Sequence, residues 1–147
     1  MPGRRTKLTF AVIAATVIGA LLVAGCGRAE GHSWQAEFTE RLESSTAVIE
    51  EASPDLRPSS SEVQVLRAGT KLGEELEQRR ESVEGLVPPA ACEAVQEAGA
   101  KKLSGVAEKT YNFYKNLTPF LHRHLPRILK EEIAGIGKIE HEAESCE

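Results

Sequence analysis

The chain has 147 residues, with 18 basic against 22 acidic side chains and a formal charge of −4 at neutral pH. That length fits one domain with a real but small core. The acidic balance argues against general nucleic-acid binding, which needs a basic footprint.

The only run that matters for a membrane is at the N-terminus. Residues 3–7 (GRRTK) are positively charged and residues 8–25 (LTFAVIAATVIGALLVAG) carry no charge. This is the order of a secretory signal, a basic flank followed by an apolar stretch. An uncleaved membrane-spanning helix is the competing reading, because residues 8–25 nearly reach across a bilayer. Either way the basic flank stays in the cytoplasm and the rest lies outside.

The run ends in Leu22-Val23-Ala24-Gly25-Cys26. This resembles the lipobox of bacterial lipoproteins: an aliphatic residue, two small residues, then cysteine. The resemblance covers those residues and the signal before them, and it points to no particular functional family. It implies cleavage between Gly25 and Cys26, loss of residues 1–25, and lipid on the Cys26 thiol. The protein would then sit at the cell membrane, facing outside the cytoplasm. The chemistry suits the pattern, since a thiol forms a stable thioether with diacylglycerol and small residues let a peptidase approach the backbone. Two acyl chains suffice for stable anchoring, whereas one is marginal. Arg4-Arg5 invites a twin-arginine reading, but Lys7 stands where a hydrophobic residue is usual, which favours the general secretory route. Taking Arg4, Arg5 and Lys7 from the 18 basic residues leaves 15 against 22 acidic in residues 26–147, a net −7.

Export places Cys92 and Cys146 in an oxidising compartment. With Cys26 used for lipid, they are the remaining pair, and a Cys92–Cys146 disulfide is expected; two separate thiols are the alternative. No second cysteine or histidine near Cys92 suggests a metal site.

Residues 26–32 read as a tether, followed by a helical domain over 33–147. Trp34, Phe38, Leu42, Ser45, Ile49 and Ala52 recur at spacings of three and four, with Ser33 as N-cap and Pro54 ending the segment. Residues 53–58 form a turn. Ser59 and Glu62 match a capping box opening a second helix, with the stripe Val65, Gly69, Leu72, Leu76, Val83 and Val87. Pro88-Pro89 stops it, and a third helix starts near Pro89 with the stripe Cys92, Val95, Gly99, Leu103, Val106, Thr110 and Phe113. Residues 116–119 break the pattern, with Thr118 capping a fourth helix whose stripe is Leu121, Leu125, Leu129, Ile133, Ile136, Ile139, Ala143 and Cys146. Pro126 should kink that helix or mark its true start. A turn at 116–119 gives arms of about 37 and 43 Å, so that Cys92 and Cys146 meet; a turn at Pro126 would separate them. Close helix approach would account for Gly99, Gly105, Gly135 and Gly137. The expectation is an all-α, up-down bundle of four helices whose C-terminal hairpin is closed by a disulfide. A three-helix bundle with a mobile first helix is the alternative.

Nucleophile elbows, P-loops, dinucleotide fingerprints and zincin motifs are absent from the sequence. Neither catalysis nor a cofactor is expected. His122 and His124 lie on different sides of a helix, and His141 has Glu144 one turn on; these read as surface residues rather than metal ligands. The scattered carboxylates of the first two helices, such as Glu40, Glu50, Glu74 and Glu84, read as solvated faces.

The informative stretch is 109–130. It holds Lys109, Lys115, Arg123, Arg127 and Lys130, with His122 and His124, and no acid. Tyr111, Phe113, Tyr114 and Phe120 are interleaved. Arg123 stands near a helix start, where the macrodipole disfavours a cation. In the expected bundle this stretch is the tip of the last hairpin, about 40 Å from the anchoring membrane. Lys115, His122, Arg123, His124, Arg127 and Lys130 would form a tip that touches a wall polyanion, an acidic envelope protein or another membrane. A solvated hairpin end with its aromatics packed inward is the competing reading. The expected function is a membrane-anchored, non-enzymatic module for binding or envelope structure. The alternative is a lipoprotein holding a metal, haem or lipid within the bundle.

Overall fold

The computed structural model describes residues 33–146; the expected signal segment, with Gly25 and Cys26, and the expected tether lie outside the described residues. Four long helices carry the chain: α1 (Trp34–Ala52), α2 (Glu62–Glu84), α3 (Glu93–Tyr111) and, after the single-turn helix α4 (Phe113–Asn116), α5 (Pro119–Ala143). Strands are absent among these residues. Short 3₁₀ turns, Ser53–Asp55 and Ala90–Cys92, lead out of α1 and into α3.

Side-chain caps begin three of the helices. Ser33 accepts from the Ala36 amide at 3.2 Å, and Thr118 accepts from Leu121 at 3.1 Å. Both satisfy amides that the first turn leaves without a partner. At α2 the capping box is Ser61 with Gln64, not Ser59 with Glu62. The Ser61 amide donates to Gln64 Oε1 at 2.8 Å and the Gln64 amide to Ser61 Oγ at 3.3 Å. The shift has a structural cause. Residues 57–60 are used in a turn closed by Ser60 N–H to Arg57 C=O, next to a fully buried Leu56. The third helix likewise begins later than Pro89, because the Cys92 amide closes a turn onto the Pro89 carbonyl.

The apolar stripes converge on one core. Phe38, Leu42, Ile49, Val65, Leu72, Leu76, Leu103, Val106, Leu125, Leu129 and Ile136 are all buried. Val87 is not part of it; it falls in the loop after α2 and is 87% exposed. Neighbouring helices run antiparallel. Arg41, early in α1, donates to Ser82 Oγ, late in α2, at 2.8 Å. α2 then packs on α3, α3 on α5, and α5 returns to α1. Trp34 at the start of α1 donates to Gln96 Oε1 at 2.7 Å, so the start of α1, the α2–α3 connection and the chain's C-terminal end gather at one end of the bundle. Cys92 and Cys146 are disulfide-bonded there, with Cα atoms 5.3 Å apart.

The closest seam is α2 against α3, and two glycines permit it. A Cβ on Gly73 would stand 2.9 Å from Tyr111 Cβ and 3.0 Å from the Ala107 carbonyl oxygen. A Cβ on Gly69 would collide with the Phe113 ring and lie 2.8 Å from the Thr110 carbonyl oxygen. Gly99 makes room for Phe38 and Gly135 for the Lys102 stem, whereas Gly105 and Gly137 face open space. Close approach therefore accounts for two of the four glycines expected to need it.

The α3–α5 seam holds one buried carboxylate. Glu132 is 7% exposed, accepts from Lys109 Nζ at 2.7 Å and forms an ion pair with Lys102. Burial alone would push its pKa up, but the two lysines outweigh burial and the net displacement is downward. On the α1–α5 seam, burial and then repulsion from Glu43 raise the pKa of Glu140.

Candidate functional site

The opposite end of the bundle is built from the α1–α2 connection, the end of α3, α4 and the first turns of α5. α5 runs unbroken through Pro126, so the proline does not start the helix. Lacking an N–H, it leaves the His122 carbonyl without its usual helical donor. The His122 ring instead ties the two loops together, with Nε2 3.0 Å from the Arg57 carbonyl oxygen. His124 faces another way: its Nδ1 lies 2.7 Å from the Phe120 carbonyl oxygen and its ring stacks on Phe120, with centroids 4.2 Å apart. The two histidines do not converge, and no group of three or more potential metal ligands occurs among the described residues.

The cations of this end are unevenly used. Lys109 is committed to Glu132, and Arg127 pairs with Glu131 at 2.9 Å on the exposed face of α5. Such an exposed pair is worth at most about 1 kcal/mol and leaves Arg127 available. Lys115 is exposed near the end of α4. Arg123 and Lys130 are exposed on α5. No acid occupies the first turn of α5, so the early cations lack the usual compensation at a helix N-terminus.

The aromatics divide. Phe113 is buried over Gly69, while Phe120 is 71% exposed and Tyr111 about half exposed. Val63, in the first turn of α2, is exposed at the same end. Thus Arg123, His124, Arg127 and Lys130 share one end with exposed apolar side chains, whereas His122 serves the loop contact.

Sequence reasoning missed a contributor from the α1–α2 connection. Arg57 and Lys130 line one groove of about 650 Å³, together with Pro58, Pro126, Leu129 and Ile133. Only the fold brings residue 57 to residue 130; the Arg-Pro pair at 57–58 carries no signal of its own. A second groove, about 890 Å³, runs along α2 and α3 and is rimmed by Glu77, Glu84, Glu93, Glu97 and Glu108 with Arg80 and Lys101. The second groove is therefore net acidic, whereas in the first Arg57 and Lys130 face the single carboxylate of Glu50. No family model, no curated protein and no solved structure matches the chain.

Proposed function

We propose that the chain is a lipoprotein, anchored through lipid on Cys26 and facing outside the cytoplasm. Its helical bundle works by binding or as envelope structure, without catalysis. The observation that carries this reading is the sequence Leu22-Val23-Ala24-Gly25-Cys26 placed directly after a basic flank and an uncharged run. The Cys92–Cys146 disulfide supports it, because such bonds persist in oxidising compartments and are rare in the cytoplasm.

The contact surface in this reading is the basic end, with Arg123, Arg127 and Lys130 offered to a polyanion or an acidic envelope protein. Their separation from the acidic α2–α3 groove supports that choice. A locally basic surface steers and orients acidic partners.

The anchor is tested by replacing Cys26 with alanine and fractionating cells. The expected result is loss of acylation and release of the bundle from the membrane fraction. Unchanged membrane retention without lipid contradicts the lipobox reading and favours an uncleaved helix.

A further inference from the structure

The groove between the α1–α2 connection and α5 has a chemistry that the basic end as a whole does not. Its floor is apolar: Leu129 is 3% exposed and Ile133 half-buried, with Pro58 and Pro126 on either side. Its rim carries Arg57 and Lys130, neither of which has a hydrogen-bond or ion-pair partner for its charged group among the described residues. The Ser59 hydroxyl on the same rim is also uncommitted, whereas Ser53 already donates to the Ile49 carbonyl at 2.8 Å. Glu50 stands at the α1 edge, so two cations face one carboxylate.

The origin of the groove is local. Buried Leu56 pins the connection to the core, and the chain then arches through Pro58 and Ser59 toward α5. Opposite this arch, α5 presents the Pro126 ring. The volume of about 650 Å³ lies inside the range typical of small-molecule sites, about 300–1,000 Å³.

We propose that this groove binds an anionic amphiphile with a single alkyl chain. The chain lies over Leu129 and Ile133 between the two prolines, and the head group meets Arg57, Lys130 and the Ser59 hydroxyl. Apolar floor and cationic rim are complementary to the two halves of such a molecule, and the single Glu50 disfavours a cationic one. A bare polyanion would use the rim and leave the floor uncovered. A neutral apolar ligand would use the floor and leave the cations unmatched. The proposal rests on the binding-module reading for the role of this end, but its test does not depend on the Cys26 anchor.

The core, helix caps and disulfide all lie within residues 33–146, so a chain beginning at Gly27 retains every described element of the fold. Decyl sulfate, decanol, decyltrimethylammonium and inorganic sulfate are titrated separately, below micelle formation. Binding is followed by calorimetry and by the methyl resonances of Leu129 and Ile133, with helicity checked throughout. Decyl sulfate is expected to saturate one site and move both methyl groups. Affinity should rise with chain length, by about fourfold for each methylene fully covered. The Arg57→Gln/Lys130→Gln pair changes exposed side chains only and should weaken decyl sulfate about tenfold, leaving decanol unaffected. Inorganic sulfate binding as tightly as decyl sulfate overturns the proposal in favour of a simple anion surface. Equal binding of decyltrimethylammonium, or methyl shifts elsewhere in the bundle, overturns it as well. Any of these results leaves the lipid anchor untouched, and loss of the anchor leaves the groove untouched.

Discussion

The two ends of this bundle are closed by different means. At one end a covalent bond joins Cys92 to Cys146, and Trp34, Gln96 and the Leu86 carbonyl oxygen form a hydrogen-bonded chain across three segments. At the other, the loops meet through His122 and the Arg57 carbonyl oxygen, and Phe113 caps the seam over Gly69. The end without a disulfide is also the one that gathers exposed cations, Phe120 and an apolar groove. The contrast teaches a division of labour. The disulfide end is held by a covalent bond and a partly buried hydrogen-bonded chain, whereas the other end is held by loop contacts and caps while presenting exposed side chains.

The largest expected effect removes the asymmetry. Reducing Cys92–Cys146, or replacing both with alanine, should lower stability by about 4 kcal/mol on the chain-entropy model for this 54-residue separation. Urea unfolding of oxidised and reduced protein measures it; equal midpoints would show that the bond adds no stability. A smaller effect probes the end without the bond. Gly73→Ala should cost about 1–3 kcal/mol, because the added methyl meets Tyr111 and the Ala107 carbonyl oxygen. Gly105→Ala, with nothing within 4 Å of the added methyl, should instead stabilise by up to about 1 kcal/mol. Thermal melts giving both substitutions the same sign would contradict the close α2–α3 seam. The third effect lies midway, on the α3–α5 seam. Glu132→Gln should cost about 1–2 kcal/mol at neutral pH by leaving Lys102 and Lys109 without their counter-charge. The folded carboxyl titrates below its ordinary range, so its contribution is complete above that range and disappears as pH falls through the depressed value. The gap between wild type and variant should therefore close in acid; a gap independent of pH argues that Glu132 acts by packing alone.

How much of this was legible in the sequence follows from what each feature depends on. The four helices were, because the stripe from Trp34 to Ala52 and the one from Leu121 to Cys146 repeat at helical spacing and face one core. So was the pairing of Cys92 with Cys146, expected because they are the two cysteines left once Cys26 is set aside for lipid, and consistent with a turn at 116–119 rather than at Pro126. The start of α2 was only half legible: Ser59/Glu62 and Ser61/Gln64 offer equivalent boxes, and the turn beside buried Leu56 decides between them. Val87 continued a periodicity beyond the point where its helix stops. Gly69 read as a stripe position and Gly73 did not stand out at all, and their use as the contact of two backbones depends on the partner helix. Glu132 carried no signal as a buried acid, since its two lysines are 23 and 30 positions away. The basic end was legible as an acid-free stretch from Lys109 to Lys130, but Arg57 joins it only through the fold.

The central claim is that the end away from the disulfide makes the functional contact. It is tested most directly by reversing charge at Arg123 and Arg127 (Arg123→Glu/Arg127→Glu) in the full-length protein and recovering crosslinked partners from intact envelopes. Both side chains are exposed and outside the core, so thermal stability should change by less than about 0.5 kcal/mol. Recovery of the partner, whether protein or polyanion, should fall sharply while membrane retention stays intact. Undiminished recovery from a folded, membrane-retained variant would contradict the account.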